Sequence, residues 1–323
     1  MVNTINSISS PEKLKALQDA ATQNFSSWEA KKQPFPGKIE VIKQDWGQAA
    51  LEATQQYGCI YPILNYANDK HPGGDFLRLG NAQEENLWQR TTCALSLFQG
   101  REHFDDSKKE FVYKPWMSQL IAAQTKMSGS EQAEVQHALN LSDAGQFKVF
   151  LNANPEVCFR GPEVRFDSGM PGSNEEILVP DMSLEVLPSK LMFPFYELRS
   201  SAPLLVPNEI NLGNTEQVQH YKQVLRQRIA AQLDTLVLNG FKHAILGAWG
   251  CGCFNNDPKI VAEIYREEIE KRAEYFTHLL FPVTASSHSN TSNFSIFREY
   301  LDDIDLKKYD VNQDSDVPSG PSM

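Results

Sequence analysis

Twice in this chain a short apolar run stops at clustered glycines and gives way to a helical stretch. The first is "CIYPILNYANDKHPGGDF", residues 59–76, with helix-like sequence from about 82 to 98. The second is "KHAILGAWGCGCFNNDPKIVAEIY", residues 242–265, where Asp257 and Pro258 supply an N-cap and a first helical position for a helix to about Phe276. A strand that ends in glycines and feeds a helix N-terminus gathers backbone N–H groups at one point, as phosphate-binding turns do. Further strands are read at "GPEVRFDSG", "PSKLMFPFYELRSSAP" and "THLLFPVTAS", and further helices at 215–240 and in "NFSIFREYLDDI". This alternation predicts an α/β layered fold with a mixed, largely parallel sheet between helices.

Residues 1–50 read as a polar, N-terminal helical extension, opened by the Ser10-Pro11-Glu12 helix start. Residues 100–145 are polar and lean towards helix. Residues 51–305 form the main domain, and 306–323 a disordered, Pro- and Ser-rich tail. The 41 acidic residues outnumber the 30 basic ones, a formal charge of -11, which argues against nucleic acid as a partner. No apolar run is long enough to insert in a membrane. Five scattered cysteines suit reduced thiols in a cytosol-like compartment.

The glycine turns fit neither common nucleotide signature. The Rossmann fingerprint needs a third glycine where Asn255 stands, and the Walker loop needs Gly-Lys-Ser/Thr. Cys251 and Cys253 lack a second pair at zinc spacing, so no metal is expected. Glu84 and Glu85 open the helix after the first turn. Adjacent helical residues point about 100° apart, so the two carboxylates must do different jobs. Carboxylates without a Ser or Cys nucleophile or a metal suit acid–base work on a glycosidic bond. An ordinary surface turn with an acidic helix start accounts for the same residues, because the helix dipole favours acids there.

Taken together, "NYANDKHPGGDFLRLGNAQEENLWQRTT" and "LGAWGCGCFNNDPKIVAEIYREEI" resemble the two ADP-ribose loops of microbial-type poly(ADP-ribose) glycohydrolases, which are macrodomains. The likeness extends over roughly residues 50–300. It implies that Gly73 and Gly74 wrap the diphosphate and that Gln83, at the helix start, also binds the ligand. Gly250, Gly252 and Phe254 would face them across the ligand, and Asn65 would contact the terminal ribose. It also implies Glu85 as catalytic acid and Glu84 as a binder of ribose hydroxyls. The partners implied are an ADP-ribosylated protein as substrate and ADP-ribose as product, with no cofactor.

One position departs from the family. Its third glycine is Asp75 here. Two unit charges 4 Å apart repel by about 4 kcal/mol at an effective dielectric of 20, so a carboxylate is misplaced beside a diphosphate. It suits a cationic group on the anomeric carbon, and arginine offers the matching fork of donors. The expected activity is therefore removal of ADP-ribose from modified arginine, in a cytosol, either the cell's own or, for a secreted effector, that of a host. The alternatives are a glycohydrolase of the polymer and a non-catalytic ADP-ribose reader.

Overall fold

The structure is a computed structural model that describes residues 2–76, 82–97, 102–167, 176–178, 182–205, 214–284, 292–302 and 304–306. In chain order these form α1 (Val2–Ile8), α2 (Pro11–Glu29), β1 (Lys38–Ile42), α3 (Trp46–Tyr57), β2 (Pro62–Tyr66) and α4 (Gln83–Arg90). A 3-10 segment, Thr92–Leu97, is followed by β3 (Glu102–Asp105), β4 (Glu110–Tyr113), α5 (Pro115–Ile121), β5 (Thr125–Lys126) and α6 (Gly129–Leu139). Then come β6 (Phe147–Lys148), β7 (Phe150–Leu151), β8 (Glu156–Cys158), β9 (Arg165–Asp167) and β10 (Glu176–Leu178). The last elements are β11 (Phe193–Ser200), α7 (Thr215–Leu238), β12 (His243–Ile245), α8 (Pro258–Glu270), β13 (His278–Pro282) and α9 (Asn293–Leu301). Most of the expected tail, 307–323, lies outside the described residues, as do 168–169 of the "GPEVRFDSG" run and 285–286 of "THLLFPVTAS".

The central sheet runs β1-β13-β12-β2-β11-β7, with β8 also on β11. The pairs from β1 to β11 are parallel, while β7 and β8 run antiparallel to β11. This is the mixed, largely parallel sheet that the strand–helix alternation predicts. Side chains alternate across it. Leu64, Leu198, Ala244, Leu279 and Phe281 pack on one face with α7, α8 and α9. Ile63, Phe195, Ile245 and Leu280 pack on the other with α3 and α4. Within α7 the helical spacing holds, since Tyr221, Leu225, Ile229, Leu233 and Leu236 are all buried.

Four stretches differ from the sequence reading. Lys38–Ile42, within the polar N-terminal stretch, is an edge strand of the main sheet, parallel to β13. Its outer side is covered by Asp302, Asp305 and Leu306: Asp302 Oδ1 accepts from Val41 N at 3.3 Å, Asp305 bridges to Lys38, and Leu306 N donates to Gly37 O at 3.1 Å. The helix read from 82 to 98 breaks after Arg90, because Thr91 is extended and Arg90 O accepts from Phe159 N and Arg160 N; residue 98 lies outside the described residues. The helix read to Phe276 ends at Glu270 and continues as turns. The 100–145 stretch contains the β3–β4 hairpin rather than helix alone. Its inner face buries Glu102 and Tyr113, so the polarity that suggests a surface helix is matched by partners inside. None of the described helices is long and apolar enough to cross a membrane.

A polar cluster at the amino ends of β12 and β13 makes stability depend on pH. His278 links Tyr61 Oη (2.7 Å) to Glu40 Oε2 (2.9 Å). The His278 contact holds the Glu40 carboxyl down, to about 2 from 4.5. His243 packs on Phe35 and Tyr61, and loss of water there lowers it to about 4 from 6.5. Both folded-state values lie below the unfolded ones. The Glu40 contribution is therefore full above pH 4.5 and disappears as pH falls through about 2. Protonation of His243 opposes folding as pH falls from 6.5 through 4. We expect Glu40→Gln to cost roughly 1 kcal/mol at pH 7 and almost nothing at pH 2, a modest figure because Glu40 is partly solvated. Urea unfolding at both pH values checks this, and equal costs would contradict it.

Candidate functional site

A cleft of about 1040 Å³ opens at the carboxyl ends of the parallel strands, where ligands of such sheets bind. Its wall takes in Gln44 and Trp46 after β1, Tyr66 and Asn68 at the end of β2, and Val283 and Thr284 after β13. The two glycine turns face each other across it. One contributes Gly74 and Asp75, the other Gly250, Gly252, Cys251, Cys253 and Phe254. The sequence reading therefore brings its two loops to one place.

The two glutamates are buried and differ as the helical angle requires. Glu84 turns inward. Its Oε2 accepts from Asn68 N at 2.8 Å and its Oε1 from Gly73 N at 3.0 Å, so it fastens the loop to α4. Burial pushes its carboxyl well above the ordinary carboxylate value. Asn68 N–H opposes that, Glu85 adds to it, and Arg199 and Gly73 N–H oppose it again. Glu85 belongs to the cleft wall. Its Oε1 accepts from Asp75 N at 2.8 Å, while its Oε2 is buried with no hydrogen-bond partner among the described residues. Gly74 makes this geometry possible. Its φ is +53°, and an added Cβ would run into Glu85 Oε1.

Beneath the pair lies an ionic network. Arg199 is fully buried and lies over the Trp88 ring at 5.0 Å and the Phe150 ring at 4.8 Å. It pairs with Glu197 at 3.0 Å and Glu102 at 3.3 Å, and donates to Ser96 Oγ at 2.9 Å. Glu197 Oε1 also accepts from Asn65 Nδ2 at 2.7 Å and Trp88 Nε1 at 3.3 Å. In this way β2, α4, β11 and the β3–β4 hairpin converge on one guanidinium.

The opposite loop is held from below. Trp249 Nε1 donates to Ser200 O at 2.8 Å. Asn256 Nδ2 donates to Gly250 O (3.0 Å) and Pro203 O (2.9 Å), and its Oδ1 accepts from Tyr221 Oη at 3.0 Å. Gly250 has φ +75°, and a Cβ there would collide with Ala202 and Asn256. Phe254 is half-buried on the cleft wall.

Several implied roles change in place. Asn65 is not on the cleft wall; it is completely buried and tied to Glu197. It points to the α4 side of the sheet because it shares a strand face with Ile63. Glu84 and Gly73 also stand behind the wall, engaged with each other. Gln83 lines the cleft, but its amide completes the β2 backbone: Nε2 donates to Leu64 O and Oε1 accepts from Tyr66 N, both at 2.9 Å. Asp75 is exposed at the wall. The sequence reading missed Glu197, Arg199 and Asn256. For the first two a signal existed: opposite charges two residues apart share one face of a strand, and this strand is otherwise apolar. Among the described residues no group of three or more His, Cys, Asp or Glu is placed to hold a metal ion.

The family model of the microbial-type PARG catalytic domain matches residues 5–120, which contain the first loop and both glutamates. No curated protein matches the chain significantly. Among solved structures it is similar to poly(ADP-ribose) glycohydrolase from Thermomonospora curvata bound to the inhibitor ADP-HPD, at 21% identity and a TM-score of 0.54. That match covers 92% of this chain and 96% of the other. A second structure of the same enzyme gives 20% identity, a TM-score of 0.53, and coverage of 93% and 97%. The fold is thus that of the bacterial glycohydrolases over nearly the whole chain, with the microbial-type PARG signature in its first part.

Removing one member of the buried network leaves the others charged and unpaired. We expect Arg199→Met to destabilise the protein by about 3–5 kcal/mol, and pairing it with Glu197→Gln to recover part of that loss. Chemical denaturation of the wild type and of these two variants tests this. A cost below about 1 kcal/mol for Arg199→Met would show that the network does not hold the site.

Proposed function

We propose that this chain is an ADP-ribosyl hydrolase that releases ADP-ribose from a modified protein, with arginine as the modified residue. The observation that carries the reading is Glu85, whose Oε1 is fixed by Asp75 N–H while its Oε2 stays unpartnered in the cleft wall. A buried carboxyl oxygen left without a hydrogen-bond partner at the edge of a cleft is one whose partner a bound substrate can supply. In the proposed reaction the bond between the ribose anomeric carbon and the guanidinium nitrogen breaks. Glu85 protonates the departing nitrogen, the hydroxyl of water joins the anomeric carbon, and the remaining proton of that water returns to the Glu85 carboxylate. Products are ADP-ribose and unmodified arginine. The glycine turns and their backbone N–H groups receive the diphosphate. Glu84 contributes by fixing the loop that carries Gly73 and Asp75.

Asp75 supports arginine because its carboxylate is exposed on the same wall, directly after the residues that touch the glutamates. A poly(ADP-ribose) glycohydrolase is the second reading, favoured by the family match over residues 5–120 and the intact Gln83-Glu84-Glu85 run. Five free thiols among the described residues suit a reducing cytosol as its setting.

Two variants test the proposal, the first the acid and the second the choice between the readings. Glu85→Gln should lower turnover by 10²–10⁴-fold, the usual worth of general acid catalysis, and keep the thermal shift given by ADP-ribose. Asp75→Asn should lower hydrolysis of arginine-linked ADP-ribose about tenfold or more, since a charge-assisted hydrogen bond contributes about 1.5–3 kcal/mol. It should leave the polymer unaffected. Full activity of Glu85→Gln would remove the proposed acid. A wild type that cleaves polymer and not ADP-ribosylarginine would establish the second reading.

A further inference from the structure

The β3–β4 hairpin has one face that is buried at its root and open near its tip. Glu102 pairs with Tyr113 and Phe104 with Phe111, and residues two apart share a side, so these four side chains lie together. At the root, Glu102 and Tyr113 both reach Arg199. Further out, Phe104 is 45% exposed and meets Phe111 edge-on, with ring centroids 5.2 Å apart. Phe111 is itself part of the cleft wall. An aromatic surface therefore runs from the cleft out onto the hairpin, anchored at its root to the network under the glutamates. Exposed phenylalanine at the rim of a cleft marks a contact surface more often than a lone surface residue does.

Charge selects the occupant. On the cleft wall Asp75, Glu110 and Glu163 outnumber Lys109, and His71 lies 3.8 Å from Glu110. At the tip, Asp105 and Asp106 are matched by Lys108 and Lys109. A polyanion leaving the cleft along this face would meet carboxylates beside the rings, whereas a cationic polypeptide would meet complementary charge. We propose that the Phe104–Phe111 face is the docking surface for the polypeptide that carries the ADP-ribose, and that it accepts apolar and basic residues flanking the modified side chain. This rests on the ADP-ribosyl hydrolase reading of the cleft.

The test uses the full chain with Glu85→Gln, titrated with three probes. They are free ADP-ribose, a peptide bearing ADP-ribosylarginine between leucine and lysine residues, and linear oligo(ADP-ribose). The peptide should bind at least about tenfold more tightly than ADP-ribose, and the added Phe104→Ser should bring it to within about twofold of ADP-ribose. Affinity for ADP-ribose itself should not change, because Phe104 is not on the cleft wall. Equal binding of peptide and ADP-ribose, or a Phe104→Ser loss that falls on the oligomer instead, overturns the proposal. If ADP-ribose itself fails to bind, the hydrolase reading falls and the docking surface falls with it.

Discussion

The Arg199–Glu197 ion pair is the contact on which the site is built. Both residues lie on the β2-facing strand β11, with no exposed surface. Taking such charges out of water costs several kcal/mol per ion, and the groups packed around the guanidinium offset that cost: Glu197, Glu102 and Ser96 at its edges, Trp88 and Phe150 on its faces. Trp88 is a residue of α4, the helix that opens with the two glutamates. The orientation of that helix, and through it the direction of Glu85, follows from how the network is satisfied.

The two glutamates show how one helical turn divides labour. Glu84, turned inward, accepts two backbone N–H groups and shapes the loop in front of it. Glu85, one residue on, borders the cleft. The loop therefore depends on the same helix start that carries Glu85, and a shift in either moves the other. Gly74 keeps the two close enough for this, since any side chain there would occupy the space of the Glu85 carboxylate.

The strand–glycine–helix alternation made the layered, largely parallel sheet readable, because period-2 and period-3.6 patterns survive wherever one face is apolar, and the facing of the two loops was implied by the family resemblance alone. The residues that fail to read are those whose partners are remote. Asn65 looks like a ligand-facing residue at a strand end, yet the strand face it shares with Ile63 directs it to Glu197, 132 positions away. Gln83 looks like part of a catalytic run, yet its amide stands in for missing strand backbone beside β2. Glu102 and Tyr113 stand in a polar stretch with nothing nearby in sequence to bury them, and both reach Arg199, 97 and 86 positions away. Lys38–Ile42 is short and charged, as edge strands commonly are, and so lacks the long apolar signal of the central strands.

That edge strand has its own consequence. A strand at the border of a sheet presents a row of N–H and C=O groups that any other extended chain can pair with. Here Asp302, Asp305 and Leu306 occupy that row, at Val41, Lys38 and Gly37. The final described residues thus engage groups that another extended chain would otherwise reach. Without those contacts the edge would offer its backbone to another extended segment, at the opposite border of the sheet from the ionic network.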